Sequence, residues 1–239
     1  MIRVAKGFTL IELMLSMSFI SVLLIAIAVT VIQISNIYNH GLTVKDVNQA
    51  ARSLSSELQS SISESAPFAI ESGAGSRYII QSWGGRLCTG QYSYIWNYGV
   101  NLNNAVSNNN YSDTTLNVYT TSPSTLIRFV KVPDTTALYC TVSNGKYADV
   151  DPNGAVDLLN VGDHSLAIHS FTIVSAPGAI DPKTAERLYS ISFLVGTNDQ
   201  SALVSGSTAC KSTSVSGADP AYCSVQLFTL VVRAGNELR

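Results

Sequence analysis

The chain has 239 residues, with 14 Lys+Arg against 16 Asp+Glu, a formal net charge of −2, 46% hydrophobic residues and only 13% charged ones. That balance excludes a strongly basic nucleic-acid-binding surface, and the length admits one long helix plus one sizeable globular domain. Ser, Thr, Asn and Gly are plentiful, which suits an extracellular β domain better than a cytosolic enzyme.

The first element is an apolar run. No Asp, Glu, Lys or Arg occurs from Leu13 to Val44, and residues 13–32 are apolar apart from Ser16, Ser18, Ser21 and Thr30. At about 1.5 Å of rise per residue, 13–32 crosses a hydrocarbon core of about 30 Å as a helix. Glu12 stands at the mouth of that run. A charged side chain inside the bilayer costs about 2.5–3.5 kcal/mol on insertion scales, so Glu12 needs a partner. Arg3 and Lys6 precede the run, which by the positive-inside rule keeps residues 1–7 in the cytoplasm. An ordinary secretory signal would have a shorter apolar core followed by a small-x-small cleavage site. No such site follows here, and the apolar positions continue through Val31, Ile32, Ile34 and Ile37.

The residues Lys6-Gly7-Phe8-Thr9-Leu10-Ile11-Glu12-Leu13 resemble the processing site of type IV prepilins and the related pseudopilins of secretion systems. The resemblance covers about the first 65 residues and extends beyond them only as general architecture. It implies a peptidase cut between Gly7 and Phe8, with Phe8 becoming the methylated N-terminus, and it places Glu12 at the glutamate position of the family. Cutting there exposes an amino group at Phe8 that is largely cationic at neutral pH. Phe8 and Glu12 are four apart and share a helix face. Glu12 is expected to pair with its own N-terminus or with that of a neighbouring subunit, and the second option also fixes the axial register between subunits.

Past Gly41 the pattern becomes one-sided. Val44, Val47, Ala51, Leu54, Leu58 and Ile62 recur at helical spacing, with Lys45, Asp46, Arg52, Glu57 and Glu64 largely between them. Pro67 ends the pattern. A helix over 8–65 would be about 87 Å long, apolar all round in its first half and packed on a sheet through its second. Gly41 is a place for bending or local melting. The domains expected are therefore a leader at 1–7, a transmembrane and assembly helix at 8–66, and a globular antiparallel β domain at 67–239.

Beyond Pro67, strands are predicted at 78–83, 92–98, 116–121, 126–132, 137–142, 165–174, 188–195 and 225–233. Alternation in Tyr189-Ser190-Ile191-Ser192-Phe193 should bury one face and expose the serines. Segment 225–232 is apolar on both sides and reads as a central strand. The asparagine-rich 101–110 reads as an exposed loop, and 175–186 as a second one. The fold class is α+β of the type IV pilin kind, a long N-terminal helix on an antiparallel sheet domain.

Cys88, Cys140, Cys210 and Cys223 all fall in the globular part, and a translocated chain would pair them. Three connectivities are open. Cys210–Cys223, closing the loop before the last strand, together with Cys88–Cys140 is the favoured one. A zinc site lacks CxxC spacing and would have only His40, His164 and His169 to draw on.

Asp149, Asp151, Asn153 and Asp157, with Gly154 at the sixth position, match the start of a calcium loop. Asn160 stands where the bidentate glutamate belongs, and Asp, Pro, Asn and Gly are also the usual turn formers. Asp163-His164 has no nucleophile signature beside it, and His169 alternates with Phe171 and Ile173 as a structural histidine would. No P-loop, dinucleotide fingerprint or HExxH helix is present, so neither an enzyme, a cofactor nor a catalytic metal is expected. Tyr92-Ser93-Tyr94-Ile95-Trp96-Asn97-Tyr98 carries aromatics on both faces and is either core or a binding surface for sugar or nucleic acid.

The resemblance then implies a non-enzymatic minor pilin or large pseudopilin. The size of the globular part favours a priming or tip subunit, and Gln49-Ala50-Ala51-Arg52-Ser53-Leu54-Ser55-Ser56-Glu57-Leu58 is similar to the helix of W/J-type minor pilins and pseudopilins. Partners implied are other pilin subunits through the helix, the prepilin peptidase, an inner-membrane assembly platform, and lipid before assembly. The chain would be single-pass in the inner (cytoplasmic) membrane first, then part of an extracellular or periplasmic filament. Type II secretion and DNA uptake are alternative machines. An adhesin whose β domain binds DNA, glycan or a host surface, and a membrane-anchored enzyme, are the rivals of another class.

Overall fold

The computed structural model describes residues 9–71, 73, 75–107, 116–119, 126–160, 165–199, 201–212 and 214–235, with the backbone alone over 176–180. One helix, α1 (Leu10–Ser63), precedes the sheets. It starts at a capping box in which the Thr9 hydroxyl accepts from the Glu12 amide and the Glu12 side chain accepts from the Thr9 amide. It ends just before Ser65, whose carbonyl accepts from the Gly235 amide at 3.0 Å.

The first sheet has the order β1-β2-β3-β4-β7, built from β1 (Tyr78–Ile80), β2 (Gly84–Cys88), β3 (Tyr92–Asn97), β4 (Phe129–Pro133) and β7 (Val156–Asp157). A two-stranded hairpin, β5 (Val142–Ser143) and β6 (Lys146–Tyr147), turns through Asn144 and Gly145, both at positive φ. The second sheet has β9 (Arg187–Thr197) between β8 (Leu166–Ile180) and β10 (Val225–Ala234). All pairings within the sheets are antiparallel. The chain is thus α+β, a long N-terminal helix followed by antiparallel sheets.

The amphipathic half of α1 buries Val47, Ala50, Ala51, Leu54, Leu58 and Ile62 in one core with Trp96, Phe129, Phe171, Tyr189, Ile191 and Phe193. Trp96 stacks at 5.5 Å on Phe129 and meets Phe171 at 4.5 Å, so the aromatic centre ties the two sheets together. The Tyr78 hydroxyl adds a hydrogen bond to the Phe171 carbonyl at 2.9 Å, and burial pushes that phenol up to about 12. Glu57 on α1 joins the first sheet, accepting from the Tyr94 hydroxyl at 3.0 Å and pairing with Lys131 at 2.5 Å.

Several local expectations are corrected. The predicted strand 78–83 is only Tyr78–Ile80, and Gly84–Cys88 forms a strand of its own. A side chain at Gly84 would come within 2.1 Å of the Trp96 carbonyl oxygen, and one at Gly85 within 2.4 Å of the Trp96 ring. This central strand therefore uses glycine and carries no β-branched signature. Over 101–107 the expected loop is instead the end of a helix, α2 (Gly99–Ser107), which buries Leu102 and Ala105, three apart, while Asn101 bonds the Ser82 carbonyl. Residues 108–110 of that predicted loop lie outside the described residues. At 137–142 the strand is replaced by a 3₁₀ turn, Leu138–Cys140, followed by β5. Asp134 holds that turn by accepting from the amides of Leu138 and Tyr139. The first half of the predicted loop 175–186 continues β8 to Ile180, and 181–185 lie outside the description. Finally, β10 is an edge strand, not a central one; β9, with Tyr189, Ile191 and Phe193 inward, takes the middle.

Candidate functional site: the exposed apolar helix and its junction

From Leu10 to Leu42, α1 is solvent-exposed apart from half-buried Asn39. Among the described residues nothing buries this apolar surface, and the helix is long and apolar enough to cross a membrane. Its polar atoms are answered locally. Ser16 and Ser18 donate to the carbonyls of Leu13 and Leu15, Ser21 to Met17, and Thr30 to Ile27, at 2.7–2.9 Å. Hydroxyls bonded back onto their own helix expose no unpaired donor to hydrocarbon. Glu12 Oε2 accepts from the Thr9 amide at 3.1 Å and the Thr9 hydroxyl at 3.0 Å. The side chain expected to need a partner therefore has one within the helix start. Gly7 and Phe8, the proposed processing residues, lie outside the described residues.

The exposed half meets the packed half at Asn39–Thr43. Here a second 3₁₀ turn, Pro220–Tyr222, lies against α1. Asn39 donates to the Tyr222 hydroxyl at 3.0 Å, His40 Nδ1 to the Pro220 carbonyl at 3.1 Å, and Thr43 to the Ala221 carbonyl at 3.0 Å. Asp219 caps the turn by accepting from the Ala221 amide at 3.1 Å. A side chain at Gly41 would meet nothing within 4 Å, so packing does not demand glycine there. Sequence reasoning missed this clasp. Its only signal was Asp219-Pro220, which marks a turn but not what the turn touches.

Two disulfides are present, Cys88–Cys140 and Cys210–Cys223, the favoured pair among the three open connectivities. The second closes the segment that carries the clasp. The first ties β2 to the Asp134 turn. In that region Arg86 is buried and donates to Asn117 Oδ1 at 2.9 Å and to the carbonyls of Tyr139 and Ala148 at 3.0 and 2.8 Å. Burial pulls its guanidinium down to about 10, partly offset by Tyr147 and Asp149.

Two carboxylates of the candidate calcium loop are engaged within the chain. Both carboxylate oxygens of Asp157 are engaged, Oδ2 by Arg128 at 2.7 Å and Oδ1 by the Leu159 amide at 2.9 Å. Asp151 caps the Asn153 amide at 2.8 Å. Among the described residues no three acidic, histidine or cysteine side chains gather as a metal site, Asp149, Asp151 and Asp157 included. Of the two readings of the aromatic segment, the core one holds: Ser93 through Asn97 are buried, and Tyr94 and Trp96 build core. His169 is 8% exposed, its Nε2 donates to the Thr197 carbonyl at 3.1 Å, and burial holds its pKa below the ordinary value. His164 and Asp163 lie outside the described residues.

Comparison with protein-family models, with curated proteins and with solved structures finds no match for this chain.

Proposed function

We propose that the chain is a non-enzymatic, pilin-like structural subunit, of the minor pilin kind, held in the inner membrane by α1 and then assembled with other subunits into a type IV filament through the same helix. One observation carries this reading. The motif Gly7-Phe8-Thr9-Leu10-Ile11-Glu12 opens a helix whose first 33 described residues, 10–42, are left uncovered, while its later turns are built into a sheet domain. A plain anchor needs neither the glutamate at its mouth nor the rigid continuation into the core.

In this account a prepilin peptidase removes 1–7, Phe8 becomes the methylated N-terminus, and the chain waits in the bilayer until an assembly platform extracts it. Extraction exchanges lipid for neighbouring helices. Each Å² of apolar helix left in water would cost about 25 cal/mol, so the extracted helices bundle. Glu12 leaves its local Thr9 partner to meet the Phe8 amine of the next subunit, which sets the register.

The test is incorporation of the full chain into filaments in a host that carries a type IV assembly machine. Glu12→Ala should insert in the membrane normally yet incorporate poorly, and Leu23→Asp should not assemble at all. Filaments containing Leu23→Asp, or normal incorporation of Glu12→Ala, would contradict the proposal.

A further inference from the structure

Where the domain stands over the bilayer follows from α1 and the clasp together. Residues 13–32 span about 30 Å, so Ile32 marks the outer edge of the hydrocarbon. Asn39 follows seven residues later, about 10 Å further along the axis. The headgroup layer is itself about 5–7 Å deep on each side. A helix tilt of about 20° lowers one side of the domain still further. No linker separates membrane from domain, because Asn39, His40 and Thr43 are already bonded to Pro220–Tyr222.

The end of the domain that faces the membrane is also fixed. Pro220–Tyr222 sits at the start of the packed half of α1, and the Gly235 amide bonds Ser65 at its far end, so β10 runs the same way as α1. Segments 201–212 and 214–224, with the first residues of β10, therefore form the near end. Exposed apolar side chains are carried on it: Val204 is 42% exposed, Val215 47%, Tyr222 39% and Leu227 66%. On α1 just below them, Ile37 and Tyr38 are exposed as well. Lys211 and Asp219 are the only charges between 201 and 227, and they are of opposite sign. The Cys210–Cys223 bond, 13 residues apart in sequence, keeps the loop that carries Val215 beside the clasp.

We propose that this end, with Val204, Val215, Tyr222 and Leu227, rests on the phospholipid interface of the bilayer that α1 crosses. The surface carries few charges, Lys211 against Asp219 and Asp199, and mixes hydroxyl with apolar groups. Its contact is with the interfacial layer itself and not with an anionic headgroup. Aromatic rings at that depth are favoured, which suits Tyr38 and Tyr222. The subunit would then stand in the membrane with a set orientation before assembly, and extraction would have to peel this face from lipid. The inference rests on the reading of α1 as a membrane span.

The experiment is tryptophan fluorescence of the full chain in lipid vesicles containing brominated phospholipids, read as the difference from the unsubstituted chain. Val22→Trp reports the span, Val215→Trp and Val204→Trp report the proposed face, and Leu138→Trp is the control. Leu138 is exposed at the opposite end, two residues from Cys140, whose partner Cys88 adjoins Thr89 on Ser61 of α1. Bromine deep in the acyl chain should quench Val22→Trp, and bromine near the headgroup should quench Val215→Trp and Val204→Trp. Leu138→Trp should be quenched by neither. Quenching of Val22→Trp without quenching at 204 and 215 would overturn the proposal and leave the span intact. No quenching at Val22→Trp would overturn the membrane reading and the proposal with it. Quenching at 204 and 215 that appears only in anionic vesicles would contradict this contact with the interfacial layer.

Discussion

Asp134 and His169 are two buried titrating groups, and their pH windows differ. Asp134 is 6% exposed, and burial raises its pKa. Hydrogen bonds from Ser93 and from the amides of Leu138, Tyr139 and Thr136 outweigh that and leave it lowered. Its contribution to stability is therefore complete above the unfolded value near 3.9 and is lost as pH falls through the lower folded value. Asp134→Ala should cost about 1–3 kcal/mol at neutral pH, because it strands those buried donors. The gap to the parent chain should narrow below about pH 4 in denaturant unfolding of the full chain in micelles. His169 has the same sign in a higher pH window. Burial lowers its pKa, the unfolded chain takes the proton first, and its contribution is complete above about pH 6.5 and lost as pH falls below that. His169→Gln should flatten the fall in stability between about pH 6.5 and 5; an unchanged slope would show that another group titrates. His169 was marked beforehand as a structural histidine by its alternation with Phe171 and Ile173, and it is buried and bonded. Asp134 was not, since an aspartate in a polar stretch looks like a surface residue until the fold buries it.

At the scale of elements, what could be read in advance were the parts with a strong period. The amphipathic half of α1 repeats its apolar positions every three or four residues, and β9 alternates, so both were visible in the chain. The parts that were not visible depend on their neighbours. β2 is a strand because β1 and β3 flank it and Trp96 requires glycine opposite. α2 is a helix because Leu102 and Ala105 find β8 beside them, despite its asparagines. β10 is apolar on both sides, which suggested a central place, yet only its inward side meets the core. Its outward Leu227 lies at the near end discussed above. Two predictions belong here. Leu58→Ala should destabilise the domain by about 2–5 kcal/mol, whereas Leu23→Ala, on the uncovered half of the same helix, should leave the domain's unfolding midpoint in place. Replacing Cys210 and Cys223 by serine should cost about 3 kcal/mol. It should also raise amide exchange at 39–43 more than at 54–62, because the clasp loosens while the core of the helix stays packed. Equal exchange at both stretches would mean that the disulfide does not hold the clasp.

The whole molecule is organised about one long helix with two environments. One half is left bare and apolar with its hydroxyls turned back on its own backbone; the other is a structural member of the domain core. The exposed apolar helix was legible because it is local: an uncharged apolar run needs no tertiary context to be read. The clasp at Asn39–Thr43 was not, since its two sides are about 180 residues apart in sequence. The same architecture sets the central claim, that residues 1–7 are a leader and that the helix beginning at Phe8 is what the subunit assembles with. The most direct test is intact mass and N-terminal sequence of the full chain, expressed with and without a prepilin peptidase. The account predicts a peptidase-dependent start at methylated Phe8. A chain that still starts at Met1 with the peptidase present, or one cut beyond Ile37, would contradict it.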